Sequence, residues 1–188
     1  MHMPDTARRW TREEVLALPD DGNRYELLDG ELLVTPSPAP IHQLAVWALN
    51  KRIHPFVDQH GLGEAGLAPA DLDLRSGQSL QPDLFVVALP EPGRRLDWSD
   101  FGIPLLVVEV LSPSTAFQDR NRKRVRYQES GVGEYWIVDT DARLVERWRP
   151  GDDRPEILTD RIEWQPGSDL PPLEIDLPQY FREVWRES

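Results

Sequence analysis

Residues 105–111 read L-L-V-V-E-V-L, an apolar run of mostly branched side chains broken by a single charge, Glu109, and closed by Ser112-Pro113. A run of this kind suits a strand covered on both faces. A carboxylate inside it is costly unless it is paired, hydrogen-bonded or bound to a metal. A chain accepts that cost most readily where the carboxylate is used. Ser112, Ser114 and Thr115 then offer N-caps for a helix. On that helix Asp119, Lys123 and Tyr127 follow one another at intervals of four and share a face. Gly131 stops it, and E-Y-W-I-V-D at 134–139 is the next strand. Strand, helix and strand thus carry one acid and one lysine toward the same place.

Composition narrows the setting. A chain of 188 residues predicts one domain spanning 1–188, long enough for a sizeable core. Hydrophobic residues make up 39%, with seven Trp, which is globular rather than disordered, and eighteen Pro imply many short connections. No run reaches membrane-spanning length and no signal-peptide pattern is present, so the expectation is a cytoplasmic protein with no membrane partner. The absence of cysteine excludes disulfides, thiolate zinc sites and cysteine nucleophiles, and fits the same compartment.

The formal net charge of −12 argues against a chain that coats nucleic acid non-specifically, because such binding rests on neutralising phosphates. It leaves room for an enzyme that meets nucleic acid through one local basic face and a metal. Residues 120–126, R-N-R-K-R-V-R, hold five basic side chains in seven. Two readings stand side by side: a solvated helix face, or a substrate-facing strip beside the buried acid.

Elsewhere, Thr11 with Glu14 forms a capping box for a short helix at 11–18. Strands at 25–28 and 31–35 flank Asp29-Gly30, a two-residue hairpin turn. After the proline-rich break at 36–40, helical spacing runs from 41 to 60, with Pro55 placed to kink or split it and Gly61 and Gly63 ending it. Alternation predicts a strand at 70–75, a turn at 76–78, and a strand at 80–89 whose Pro82 suits its start. A polar excursion covers 91–102. A strand at 144–148 pairs back on 134–139, short strands lie near Ile157 and Ile162, and 178–185 is a closing helix. The order predicts an α/β or α+β fold with a mixed sheet.

Asp83 is the second unusual acid, at the polar edge of an apolar strand. If its strand neighbours that of Glu109 and the helix packs over their ends, Asp83, Glu109 and Lys123 meet. Two converging carboxylates with open space suit a hard cation such as Mg2+, or Mn2+ in its place, which takes oxygen ligands and keeps waters. The cation would stabilise phosphoryl charge and lower the pKa of its water, and a neighbouring lysine would steady the transition state. That is equipment for phosphodiester hydrolysis; the plainer reading is an acid hydrogen-bonded at a strand end. Glu31 reads as a solvent-facing strand residue. His42 reads equally as a phosphate contact or as a packed helix-start residue. Asp119 reads as a partner that orients Lys123 or as a surface ion pair. Tyr127, Tyr135 and Trp136 read as core, and Asp71 and Asp73 as exposed.

The segments Y-E-L-L-D-G-E-L-L-V-T-P-S-P, His42-Gln43, Q-P-D-L-F-V-V, L-V-V-E-V-L-S-P-S-T, D-R-N-R-K and Y-Q-E-S-G-V-G-E-Y-W-I-V-D together resemble the Uma2 family of bacterial proteins, over roughly residues 23–150. The resemblance implies the PD-(D/E)XK restriction-endonuclease-like fold: a mixed sheet flanked by helices, preceded here by a helix and a hairpin. It implies metal-dependent cleavage of DNA, with Pro82-Asp83 as the PD element, Glu109 as the second acid and the backbone carbonyl of Val110 as a further metal ligand. The superfamily's lysine, two residues after the acid, is replaced here by Leu111, and the resemblance implies that Lys123 on the following helix has taken its place. It also suggests a homodimer, since a duplex has two strands to cut, with Trp148, Trp164 and Trp185 as interface candidates. Replacing Lys123 by Ala is expected to remove catalysis and spare the fold. Two other readings compete: a non-catalytic member that keeps the fold for binding or assembly, and a glycosidase using Asp83 and Glu109, which leaves the lysine without a role.

Overall fold

The computed structural model describes residues 8–72, 74, 78–89 and 101–187. Helix α1 (Arg12–Leu16) opens on the expected capping box, with Thr11 and Glu14 satisfying each other's backbone N–H. Strands β1 (Arg24–Leu28) and β2 (Glu31–Thr35) form an antiparallel hairpin. Its turn residues Asp29 and Gly30 both have positive φ, 56° and 80°, as a type I′ turn demands. Helix α2 (Pro40–His60) runs unbroken through Pro55 and ends on Gly61 in the left-handed conformation. The buried Ile53, Phe56 and Val57 around Pro55 hold the helix against the one hydrogen bond the proline cannot donate.

The main sheet has six strands in the order β3 (Glu64–Leu67), β4 (Leu84–Val87), β5 (Leu106–Val110), β6 (Glu134–Asp139), β7 (Leu144–Trp148) and β8 (Glu156–Leu158). All neighbours are antiparallel except β5 and β6, which are parallel. That exception follows from the helical crossover between them, which returns the chain to the same end of the sheet. The crossover contains a π-helical segment (Gln118–Lys123) leading into α3 (Arg124–Glu129). Strands β9 (Arg161–Trp164) and β10 (Leu173–Asp176) pair as a separate ribbon, and α4 (Leu177–Trp185) closes the described chain.

Strand alternation sorts the side chains of β5 to opposite faces. Leu106, Val108 and Val110 join a core with α2 and α4, including Leu49, Ile53, Tyr180 and Phe181. Val107 joins a second core with Leu28, Phe85, Tyr127, Tyr135 and Ile137, beneath the hairpin and α3. Glu109, two residues on from Val107, takes this second face. The observed mixed sheet with flanking helices is the fold class expected from the sequence.

Three details differ from the sequence expectations. β3 and β10 were not foreseen: E-A-G-L and L-E-I-D are four-residue pieces too short to show a period. The strand expected at 70–75 is, among the described residues, one bridge between Leu72 and Leu80; Asp73, residues 75–77 and most of the 91–102 excursion lie outside the described residues. The strand expected at 80–89 contracts to Leu84–Val87, leaving Pro82 and Asp83 in the segment that leads into it.

Candidate active site

The site forms where the ends of β4 and β5 meet β1, α2 and the crossover helix. Leu84 pairs with Val108, so Asp83 and Glu109 stand one step further along adjacent strands, on the same face. They are only 3% and 2% exposed. Asp83 Oδ1 accepts from Arg24 Nη1 at 2.8 Å. Its Oδ2 accepts from the Val110 backbone N–H at 2.9 Å and lies 3.0 Å from His42 Nε2. Burial pushes the Asp83 carboxyl up, but the hydrogen bond and charge of His42, the Arg24 guanidinium and the Val110 N–H outweigh it and hold the group at about 2. Asp83 is therefore ionised.

Glu109 presents Oε1 to two donors, Lys123 Nζ at 3.0 Å and the Tyr127 hydroxyl at 3.2 Å. Burial drives its carboxyl well above the usual range; the Lys123 ammonium opposes this, while Asp119, Asp83 and Glu26 reinforce it. Lys123 is 1% exposed and stands among three acids: Glu26 Oε2 at 2.9 Å, Glu109 Oε1 at 3.0 Å and Asp119 Oδ1 at 3.4 Å. Burial alone would favour the neutral amine, yet Glu109, Glu26 and Asp119 raise its pKa well above the ordinary lysine value. It is a permanent cation pointing into the site, not to solvent.

Two neighbours had no place in the sequence reading. Glu26 and Arg24 lie two apart on β1 and turn the same way. Arg24 reaches Asp83 and the Gln81 carbonyl; Glu26 accepts the Gln81 N–H through Oε1 at 2.9 Å while Oε2 meets Lys123. The hairpin thus clamps the segment carrying Asp83 and the lysine at once. The available hint was two charges at alternate positions of a short strand, a pattern that solvent exposure explains equally well.

The helix after Ser112 is not the regular one expected. Its wide π turn covers Gln118–Lys123, a distortion frequent at functional sites. Asp119, Lys123 and Tyr127 still converge. Asp119 is buried, which replaces the reading of a surface ion pair, and burial, offset by Lys123, raises its carboxyl above the ordinary value. Tyr127 is core as expected but also bonds Glu109, and the Tyr135 hydroxyl donates to the Asp119 backbone carbonyl at 3.1 Å. The Val110 side chain is on the opposite face, and it is the backbone N–H of this residue that engages Asp83. Glu31 is exposed, as expected, and pairs with Arg122. Asp71 is half-buried and accepts from Ser79 and Gln81.

The basic run is neither a bare solvated face nor a free strip. Arg120 bonds Glu146 and Asp139, Arg122 bonds Glu31 and the Leu28 carbonyl, Arg124 bonds Gln128 and lies over the Trp148 ring, and Arg126 pairs with Asp29. The proposed interface aromatics also change standing. Trp148 and Trp164 are buried within this chain's own cores, so of the three only Trp185, 40% exposed, has surface to offer a partner.

Asp83, Glu109 and Lys123 line one cavity of about 180 Å3, walled by 35–39 and 112–115, with Arg24 and His42 also facing it. Four buried carboxylates (Glu26, Asp83, Glu109, Asp119) contact two permanent cations (Arg24, Lys123), and His42 is the remaining basic neighbour. Carboxyl groups outnumber the basic ones in this cluster, a setting that suits a divalent cation. Glu109 Oε2 has no hydrogen-bond partner among the described residues. Among those residues no group of three or more His, Asp or Glu forms a ready-made metal cage. The donor set fits a cation that keeps most of its waters, such as Mg2+ or Mn2+, better than one held in an all-protein shell.

Residues 12–182 match the family Uma2, described as "Putative restriction endonuclease". The fold is similar to a crystal structure described as a putative nuclease belonging to DUF820 from Anabaena variabilis ATCC 29413, with a TM-score of 0.77 and 19% identity, covering 93% of this chain and 98% of that one. No curated protein matches. Among the described residues no helix is long and apolar enough to cross a membrane.

Proposed function

The chain belongs to the Uma2 family, and we propose that it is a metal-dependent endonuclease hydrolysing phosphodiester bonds in DNA, with Asp83, Glu109 and Lys123 as its catalytic residues. One observation carries this reading. Two buried acids share the face of adjacent strand ends, with the buried acids Glu26 and Asp119 beside them and a buried ammonium 3.0 Å from Glu109. Asp83, Glu109 and the Val110 carbonyl would hold Mg2+ or Mn2+, which supplies charge stabilisation and an acidified water when bound.

The chain's own residues do the rest. Arg24, His42 and the Val110 N–H keep Asp83 ionised and fixed in orientation. Tyr127 and Lys123 fix one oxygen of Glu109 and leave the other toward the cavity. Lys123, held by Glu26 and Asp119, presents a fixed positive charge where phosphoryl charge accumulates, without reorganising during reaction. A glycosidase reading leaves this lysine and its three carboxylates without a task.

The test is cleavage of DNA with Mg2+ or Mn2+, lost in EDTA and restored by excess metal. Glu109→Gln keeps the shape of the side chain and should lower the rate by at least about 10²-fold with an unchanged circular dichroism spectrum. Undiminished cleavage by Glu109→Gln would remove this residue from the mechanism. Lys123→Ala is a poorer probe than the sequence suggested. It strands three buried carboxylates, and breaking such a buried pair costs about 3–5 kcal/mol, so lost activity would not separate catalysis from unfolding.

A further inference from the structure

A second cavity, of about 210 Å3, lies on the other side of Lys123. It shares Thr35, Ser114, Thr115 and Lys123 with the first, so the two are neighbours across one wall. Its remaining lining is more apolar: Leu32, Leu33 and Val34 of β2 give one side, Glu26 gives a carboxylate already held by Lys123, and Gln118, at the start of the π-helical segment, gives an amide. Gln118 Oε1 is buried and has no hydrogen-bond partner among the described residues. Buried polar atoms are nearly always satisfied, so an orphaned amide oxygen on a cavity wall points to a missing ligand. The residue before it, Phe117, is 69% exposed, more than any other large apolar side chain among the described residues.

We propose that this second cavity receives an unpaired nucleobase of the substrate strand, and that the substrate is single-stranded or locally unpaired nucleic acid; this rests on the nuclease reading of the first cavity. Apolar side chains suit the faces of a base, and the Gln118 amide suits its hydrogen-bonding edge. The phosphate next to that base would lie across Lys123, in the cavity of Asp83 and Glu109. A base can enter a lined pocket only after leaving its stack and its pairing partner, which costs least when the strand is already single. Exposed Phe117 offers a platform for a neighbouring base. Charge points the same way: the arginines of 120–126 are committed to internal partners, so this face lacks the free cations that hold a rigid duplex.

The experiment measures binding of a fluorescent 20-nucleotide single strand and of the same sequence as a blunt duplex by anisotropy, without added metal, and their cleavage with Mg2+. The wild type should bind and cleave the single strand at least about tenfold better than the duplex. Gln118→Ala should weaken single-strand binding about tenfold. Leu33→Trp, on the strand face shared with Glu26 and Thr35, fills the cavity from β2 and should do the same without touching Gln118. Equal use of duplex and single strand, or wild-type binding by both variants, overturns the base pocket while leaving the nuclease reading standing. If neither nucleic acid is bound or cleaved, the nuclease reading falls and the pocket with it.

Discussion

Glu109 shows how one residue links the sequence, the stability and the chemistry of this protein. Burial and three neighbouring acids, against one lysine, raise its carboxyl well above the usual range. A carboxyl whose folded pKa is raised contributes stability that is fully present below its unfolded pKa and is lost as pH rises through the folded one. The wild type should therefore lose stability from acid toward neutral pH through this group, and Glu109→Gln should not. At neutral pH without metal the variant should melt roughly 2–4 °C higher, the shift that about 1 kcal/mol gives a chain of this size, while its cleavage falls. A lower melting temperature would contradict this charge balance. Asp83 has the opposite sign. Moved from its ordinary 3.8 to about 2, it contributes on the order of 2 kcal/mol, present above its unfolded pKa and lost as pH falls toward 2. Asp83→Asn should flatten acid unfolding between about pH 4 and 2; an unchanged acid limb in a urea titration series would refute this. At this scale Asp83 and Glu109 stood out because each interrupts an apolar strand pattern, and Lys123 stood out only by its spacing of four from Asp119 and Tyr127 and by the family resemblance. Glu26 and Arg24 were not, because only their partners, far away in sequence, show that they are buried.

Among the elements, the β1–β2 hairpin carries more of the site than its length suggests. Its register places Arg24 and Glu26 on one side, and that register is set by a turn with positive φ at both Asp29 and Gly30. Gly30→Val puts a branched residue where the left-handed region costs about 1–2 kcal/mol. The expected outcome is local: amide hydrogen exchange speeds up at 24–35 while the β5 and β6 amides stay protected, and cleavage falls because Lys123 and the Asp83 segment lose their clamp. Intact exchange protection, or full activity with a loosened hairpin, would show that the clamp is dispensable. The hairpin was readable from Asp29-Gly30 alone, since turn chemistry is local. The π turn was not, because helical periodicity says where the residues lie and nothing about a widened turn held by side chains from other elements.

Over the whole molecule, a net charge of −12 and a basic run tied to acids predict weak, shallow salt dependence. The logarithm of nucleic-acid affinity against the logarithm of salt concentration should have a slope of roughly −2 or shallower, against about −10 for a protein that grips many duplex phosphates. A steep slope would mean that the arginines of 120–126 release their partners on binding. The sequence by itself determined the strands β4 to β7, the hairpin, the long helix, the mixed sheet class and the two acids that stand out from apolar surroundings. Those features depend on periodicity, turn residues and the cost of burying charge, which act over a few neighbours. The tertiary structure decided which charges face one another: Lys123 against Glu26, Arg24 and His42 against Asp83, and the arginines against scattered acids. Such pairings join residues far apart in sequence, 97 positions for Arg126 with Asp29, and no local rule chooses among many acids of equal charge until packing brings one of them near.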